Sequence, residues 1–310
     1  MLRASLIVLL VLAAACSQSS VPPTPTPTAE TTIGAIVVGG DESSDLGSRA
    51  ALIPSGSRTF KPGHRGVDAL ADMVARSDVL AVVDERAVAG ELLEGATPRL
   101  EEQVPVARLL SAPIVVAVAP RSPIVDAAGL KKKLTEDASS LRFAGAEIGA
   151  IEHLVAALLV KDAENGAGAL VFAAYGSAGD AANGVASGQS DVLVARYVDV
   201  KAMLVAGTLR ALAITGETRV PAIDLPTLRE ANIDVTLTDW SLLVAPASIT
   251  AAHLAALRSL VDRRRATAQW SDAVRTKGWI DDATTQAMTT FLGTQLSRIT
   301  SLYAELGLRR

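Results

Sequence analysis

Residues 207–216 read Gly-Thr-Leu-Arg-Ala-Leu-Ala-Ile-Thr-Gly, and within this stretch the run 210–215 is typical of a buried β-strand bounded by turns. Further runs of this kind lie at residues 33–38, 79–83, 114–119, 169–174, 191–195 and 241–245. Between them lie stretches with helical periodicity, such as 67–76 and 151–160. This alternation predicts a layered α/β fold with largely parallel strands.

The last part of the chain has a different pattern. Residues 251–308 have an almost continuous helical pattern, which is interrupted near residues 278–280. We therefore expect a helical C-terminal tail that packs across the fold as a brace.

The N-terminal segment indicates the cellular location of the protein. It reads MLRASLIVLLVLAAAC, and its Cys16 is the only cysteine of the 310 residues. A positive start at Arg3, an apolar segment at 6–12 and small residues at 13–15 together resemble a bacterial lipoprotein signal. The apolar segment falls short of the roughly 20 residues that a membrane-spanning helix requires. We expect residues 1–15 to be a signal peptide that is cleaved. Cys16 would then carry the lipid that anchors the protein to the extracytoplasmic face of the membrane.

A polar segment separates this cysteine from the body of the chain. Residues 17–32 contain alternating Pro and Thr, which favours extended polyproline II and prevents burial of a core. Residues 16–32 are therefore predicted to be a lipidated Cys and linker, and the globular part begins near residue 33.

Composition excludes several classes of function. The net charge is −4 and the basic clusters at 131–133 and 263–265 are short, so no nucleic-acid surface is expected. The three histidines lack metal-ligand spacing, and the sequence contains no nucleophile elbow or phosphate-binding glycine loop. A lipidated Cys16 would leave the chain without a free thiol. We expect no catalytic residues, no metal and no cofactor.

Small residues follow three of the predicted strands and precede helices, at 38–40, 144–150 and 175–179. Free N–H groups at helix starts attract anions, and ligands of open α/β sheets collect at the carboxyl ends of strands. The alternative is that these glycines only permit turns.

Several motifs occur in a characteristic order. They are Gly39-Gly40 with the acidic-to-basic helix 45–49, the PGxxG turn at 62–66, the loop from Gly145 to His153, the segment 174–177, GQSDV at 188–192, GTLRALAITG at 207–216 followed by Arg219, and DLPTLRE at 224–230. In these motifs the chain resembles the extracytoplasmic solute receptors of tripartite tricarboxylate transporters, the TctC or Bug family, from about Ile36 to the C-terminus.

The resemblance implies a type II periplasmic-binding-protein-like α/β fold with two lobes, a hinge and a helical C-terminal tail. Lobe 1 would comprise 33–117 plus 238–310, and lobe 2 would comprise 118–237. It implies a monomeric receptor, not an enzyme, that captures a small organic carboxylate and delivers it to membrane permease subunits. Loop amides and small hydroxyl groups of both lobes would hold the carboxylate. The corresponding ligand-binding residues are Gly39, Gly40, Asp45, Gly145, Ala146, Glu147, Gly149, Ala150 and Tyr175.

This chain departs from the family pattern at the second loop. Position 147 is Glu where the family usually has Gly, and Ala150 replaces an expected hydroxyl residue. Either Glu147 points to solvent, or the receptor prefers a ligand with a cationic or hydroxyl group. The segment between Arg49 and Pro62 is also short. These departures keep open an alternative function, a sensory or scaffold lipoprotein that retains the fold with a degraded cleft.

Expectations for other residues are structural. His153 is expected to be a packed or capping residue, and Asp45 either caps its helix or orients the first loop. Tyr175 is the side chain most suited to the cleft. Arg210 is expected to stabilise the second lobe, and Trp279 to lie in the core.

Overall fold

The computed structural model describes residues 33–61, 66–76 and 78–308. The predicted signal peptide, the lipidated Cys16, the linker 16–32 and the turn residues 62–65 lie outside the described residues. None of the helices in the described ranges is both long and apolar enough to cross a membrane.

Two five-stranded sheets form the framework. The first contains β1 (Ile33–Val38), β2 (Ser55–Phe60), β3 (Val79–Asp84), β4 (Val104–Ala112) and β10 (Asp239–Ala245), in the order β2-β1-β3-β10-β4. The second contains β5 (Ile114–Val118), β6 (Arg142–Gly145), β7 (Val171–Ala174), β8 (Val192–Arg196) and β9 (Arg210–Ile214), in the order β7-β6-β8-β5-β9.

Helices connect the strands and cover the sheets. They are α1 (Asp45–Ala50), α2 (Val67–Ala75), α3 (Glu85–Glu94), α4 (Ala127–Asp137), α5 (Ile151–Asp162), α6 (Ala178–Ala186), α7 (Tyr197–Val205), α8 (Ala251–Arg265), α9 (Ala268–Lys277) and α10 (Met288–Glu305). The strands and helices predicted from apolar runs and periodicity are present at these positions.

The expectation of largely parallel strands is wrong for half of the pairings in the described residues. β1 pairs in parallel with β2 and β3, and β6 pairs in parallel with β7 and β8. β10 is antiparallel to β3 and β4, and β5 is antiparallel to β8 and β9. Both antiparallel strands are those that enter a sheet directly from the other sheet rather than through a crossover helix.

The connection between the sheets is short. Pro113 alone separates β4 from β5, and β10 returns the chain to the first sheet at Asp239. β5 pairs within the second sheet, although most of it falls in the predicted first lobe. The lobe boundaries at 117/118 and 237/238 remain a prediction.

The C-terminal tail braces the fold, as expected. It is interrupted after Gly278, where Ile280 and Thr284 form β-bridges to β4. α10 then packs against α3, α5 and β4 and buries Leu302 and Tyr303 in the core. Full burial of such a side chain contributes about 1.5–3 kcal/mol, so this helix helps to hold the two sheets together.

Candidate ligand-binding site

The loop after β1 is packed closely against its neighbours. A Cβ on Gly39 would lie 2.6 Å from Gly66 Cα, so a larger residue does not fit there. The Gly39 N–H donates to Val82 O at 2.9 Å, and its carbonyl accepts from Arg86 Nη2 at 3.1 Å. Gly40 follows in the same loop and is also buried, and its Cβ position is 3.1 Å from Ser44 Oγ. Arg86 thus holds the predicted first loop in place through its contact with the Gly39 carbonyl.

Asp45 anchors the loop and does not cap α1. The N-cap is Ser44, whose Oγ accepts from the Gly47 N–H at 3.0 Å. Asp45 instead forms an ion pair with Arg49 one turn later and accepts from Trp279 Nε1 at 2.8 Å. Because Trp279 is buried, this contact ties the first loop to the C-terminal region.

The second predicted loop starts at the end of β6. A Cβ on Gly145 would lie 2.6 Å from Phe172 Cζ and 2.9 Å from Glu152 Cβ, so only glycine fits this position. The Gly145 carbonyl accepts from the Tyr175 N–H at 3.0 Å, and the Ala146 carbonyl accepts from the Gly176 N–H at 2.9 Å. The structure therefore brings the segments 145–150 and 175–176 together.

A histidine of α5 forms a hydrogen bond with the loop that precedes the helix. Gly149 has φ of 82° and donates its N–H to His153 Nδ1 at 3.0 Å, while its carbonyl accepts from the Tyr303 hydroxyl. The N-cap itself, Ala150, has no side-chain hydrogen bond. Burial lowers the pKa of His153 to about 4, and its ring centroid lies 4.5 Å from that of Phe172. His153 is a neutral, packed residue that holds the loop before α5 and does not cap the helix.

Two of the predicted ligand side chains differ in exposure. Glu147 is exposed, which agrees with the interpretation that it points to solvent. Tyr175 is partly buried, its ring covers Gly184 of α6, and its hydroxyl oxygen lies 2.9 Å from Ser190 Oγ. The Tyr175 hydroxyl is thus already engaged within the second sheet and its helices.

Only some of the predicted loop amides are available. The N–H groups of Gly39, Gly149 and Ala150 donate within the protein. Those of Gly40, Asp41, Ala146 and Glu147 donate to no acceptor within the described residues.

A buried ion network lies between the two loops, and the sequence analysis missed most of it. Arg196, the last residue of β8, donates from Nε to Asp239 Oδ2 at 2.7 Å. Its Nη1 lies 3.4 Å from Glu152 Oε1, and its Nη2 lies 3.3 Å from Glu85 Oε1. Asp239 and Glu85 border the first sheet and Glu152 belongs to α5, so one guanidinium bridges both halves of the structure.

Arg49 brings a second guanidinium to the same carboxylate. Its Nη2 donates to Asp239 Oδ2 at 2.5 Å, and its Nη1 donates to the Asp239 carbonyl at 3.0 Å. Burial alone would raise the pKa of Asp239, but Arg196 and Arg49 hold it well below its usual range. Asp239 is therefore ionised throughout the physiological range.

Three carboxylates of the network could in principle hold a metal ion. One oxygen each of Asp84, Glu85 and Asp239 lies within 4.8 Å of the others. Arg86 pairs with Asp84 at 2.8 Å, however, and Asp239 receives two guanidinium groups, so arginines already supply the positive charge. Glu85 Oε2 and Asp239 Oδ1 are buried without a hydrogen-bond partner within the described residues. Burial, with Asp239 and Asp84 nearby, raises the pKa of Glu85, which favours a proton held on Glu85 and shared with the ionised Asp239.

The network connects the predicted loops through a continuous set of contacts. Arg86 touches Gly39 in the first loop, and Glu152 packs beside Gly145 in the second. Part of the signal was present in the sequence, because Asp84 and Arg196 end β3 and β8 and Asp239 begins β10, although no local pattern brings these charges together. Strand ends of this kind are where α/β proteins place functional side chains.

The family model named Tripartite tricarboxylate transporter family receptor, TctC, matches residues 98–308, more than half of the chain. The chain belongs to this family. It is a family of solute-binding receptors and not of enzymes. The match begins after the first loop, so the Gly39-Gly40 motif lies before the matched region.

Several solved structures, one of them named a TctC solute-binding protein, share the fold. MatC of Rhodopseudomonas palustris with bound malate is 19% identical in sequence to this chain. The match covers 87% of this chain and 98% of the MatC chain, with a TM-score of 0.68. An R. palustris protein with adipate is 19% identical and covers 90% and 99% of the two chains, with a TM-score of 0.73. A TctC solute-binding protein from Polaromonas without ligand is 18% identical and covers 90% and 100%, with a TM-score of 0.73. The periplasmic-binding-protein-like fold is thereby confirmed. No match was found among curated protein sequences.

Proposed function

We propose that this protein is a lipid-anchored extracytoplasmic receptor that captures a small organic carboxylate for a tripartite tricarboxylate-type transporter. The observation that carries the proposal is the family match over residues 98–308, joined to two glycine-containing loops at strand ends on either side of one ion network. The bound malate and adipate of two structural neighbours support the ligand class.

The proposed ligand contacts are the loop amides for which no acceptor is found within the described residues. The N–H groups of Gly40 and Asp41 would approach the carboxylate from one side, and those of Ala146 and Glu147 from the other. The uncapped N-terminus of α5 adds its dipole on the second side, because Ala150 offers no side chain to the first-turn N–H groups. The remaining predicted contacts, Asp45 and Tyr175, would orient the loops.

The membrane anchor and the permease partner are part of the same proposal. Cys16 at the end of the apolar N-terminal segment supports lipidation. Mass spectrometry of the full-length protein from a bacterial membrane tests this directly, with Cys16→Ser as the control. A diacylated N-terminal cysteine is expected, and an uncleaved or unmodified N-terminus would contradict the anchor.

Ligand capture is tested by thermal unfolding with a panel of di-, tri- and monocarboxylates that includes malate and adipate. Stabilisation follows RT ln(1 + [L]/Kd), which is about 2.7 kcal/mol at a hundredfold excess over Kd. At least one acid is expected to raise the unfolding temperature. A Gly40→Val variant, whose Cβ would lie 3.3 Å from Arg86 Nη2, should lose this response. Gly166→Val is the matched control, because no atom lies within 4 Å of that Cβ position.

One observation favours the second candidate function, a sensory or scaffold lipoprotein with a degraded cleft. Arg196 is already neutralised by Glu85, Glu152 and Asp239, so it does not offer a free cation to a carboxylate ligand. A panel in which no acid stabilises the protein would favour this function over the receptor.

A further inference from the structure

A separate cavity of about 330 Å³ lies where the two sheets meet. Its walls come from the segment after β9, the segment that leads into β10, strand β4 and helix α10. None of the predicted ligand-binding residues lines it. Its volume lies in the range of small-molecule sites.

Several buried polar atoms on the wall of this cavity lack a partner. Trp240 Nε1, Asp282 Oδ1 and Gln295 Oε1 have no hydrogen bond within the described residues. Buried polar groups are paired in the great majority of cases, so three unpaired atoms in residues that line one cavity favour a polar occupant close to them. Trp240 is a donor and can only be satisfied by an acceptor.

Among the described residues around the cavity, Arg298 is a cation for which no ion-pair partner is found. Arg108 is held by Asp282, through Nε to the carbonyl at 2.9 Å and Nη2 to the carboxylate at 3.4 Å. Glu217 is paired with Arg229. Arg298 is half-buried on α10 and makes no hydrogen bond or ion pair within the described residues. Burial lowers the pKa of its guanidinium, and the nearby carboxylates of Asp234 and Glu217 oppose this effect only in part.

The apolar part of the wall is aromatic. The rings of Trp240 and Phe291 meet edge to face with centroids 5.8 Å apart, and Arg108 covers the Phe291 ring at 4.7 Å. This arrangement provides a flat surface beside the unpaired guanidinium.

We propose that this cavity is a second ligand site, for a small monocarboxylate with an apolar body. Its carboxylate pairs with Arg298 and accepts from Trp240 Nε1, and its body packs against Trp240 and Phe291. The proposal does not depend on carboxylate capture at the loops. Because the walls come from strands of the first sheet and from the segment that follows β9 of the second, a ligand here also bears on any rotation of one sheet relative to the other.

The indole N–H signals of the three tryptophans provide the test, in a ¹H–¹⁵N titration of the full globular part with benzoate and with hexanoate. Trp240 reports on this cavity, whereas Trp279, bonded to Asp45, reports on the first loop. A saturable shift of the Trp240 signal is expected. Benzamide has the same shape without the charge and should bind at least about tenfold more weakly, since hydrogen bonds to charged groups contribute about 1.5–3 kcal/mol.

Variants locate the binding. Arg298→Met should weaken benzoate at least about tenfold, and the exposed Arg275→Gln should leave it unchanged. If Arg298→Met does not fold, Gln295→Glu serves instead, because it places a like charge in the cavity. The proposal is overturned if neither acid moves the Trp240 signal, if only the Trp279 signal moves, or if benzamide binds as well as benzoate.

Discussion

Arg196 Nε lies 2.7 Å from Asp239 Oδ2, so the last residue of β8 in the second sheet is bonded to the first residue of β10 in the first sheet. Asp239 is 2% exposed, and its other guanidinium partner, Arg49, is 1% exposed. Charges at this depth are stable only while each has its partner, so the contact is a sensitive point of the fold.

Replacing Arg196 should therefore be strongly destabilising. Arg196→Met removes the cation that bridges Glu85, Glu152 and Asp239 and leaves the buried Glu152 without an ion-pair partner within the described residues. Removal of one partner of a buried pair typically costs about 3–5 kcal/mol. Urea unfolding followed by circular dichroism measures the change. Arg275→Gln, which breaks an exposed ion pair with Asp272, is the control and should differ little from the wild type. A loss as small as that of the control would mean that water compensates the network.

Glu85→Gln should reduce the pH dependence of stability. Burial raises the pKa of Glu85, with Asp239 and Asp84 adding to it, so the folded state binds a proton that the unfolded state has released. Stability from this group is present below the ordinary glutamate pKa and is lost as pH rises towards the folded pKa. The free energy of unfolding of the wild type should fall relative to Glu85→Gln between about pH 5 and about pH 8. Urea curves at both pH values measure it, with the exposed Glu101→Gln as control. Parallel pH profiles for wild type and Glu85→Gln would contradict the shared proton.

His153 should destabilise the protein in acid. Burial lowers its pKa to about 4 from an ordinary 6.5, so the folded state resists protonation while the unfolded state accepts it. Stability from this group is full above 6.5 and falls as pH drops to 4, by about 3 kcal/mol at most. An NMR titration of the His153 ring and unfolding curves of His153→Gln measure both effects. The exposed His253→Gln is the matched control and should keep the wild-type acid profile.

Glu147 should select against the more highly charged ligands. It stands exposed in the loop that presents the free amides of the second side, where its carboxylate repels an incoming anion. Glu147→Gln should raise the affinity for a dicarboxylate by about two- to fivefold, since an exposed charge contributes less than about 1 kcal/mol. Calorimetry with a bound acid from the thermal panel measures the change, and Glu164→Gln is the control. Unchanged preference between di- and monocarboxylates would remove this role.

Sequence reasoning recovered the fold wherever a strand was a buried apolar run. β1 was predicted to the residue, and β3 and β9 to within one residue at one end. β2 was not predicted because it is a half-exposed strand at the sheet edge, with the polar sequence SGSRTF. β4 was not predicted because Pro105 and Arg108 interrupt its apolar pattern.

Of the candidate site, only the glycine positions of the two backbone loops could be predicted from the sequence. Gly39 and Gly145 were identifiable because glycine at a strand end is a local signal, and the structure shows a close approach at each. The ion network was not identifiable in the same way. Arg49 and Asp239, for example, are 190 residues apart, and no local pattern indicates that such charges share one buried position.

The position of β10 between β3 and β4 has a consequence for how the polypeptide is made. Until residue 239 and those after it have been synthesised, the first sheet lacks its fourth strand, and the inner edges of two apolar strands stay open. Open edges of this kind pair with other chains and aggregate. A chain truncated before residue 239 would thus aggregate and be degraded. Only complete translation produces a molecule that can finish folding.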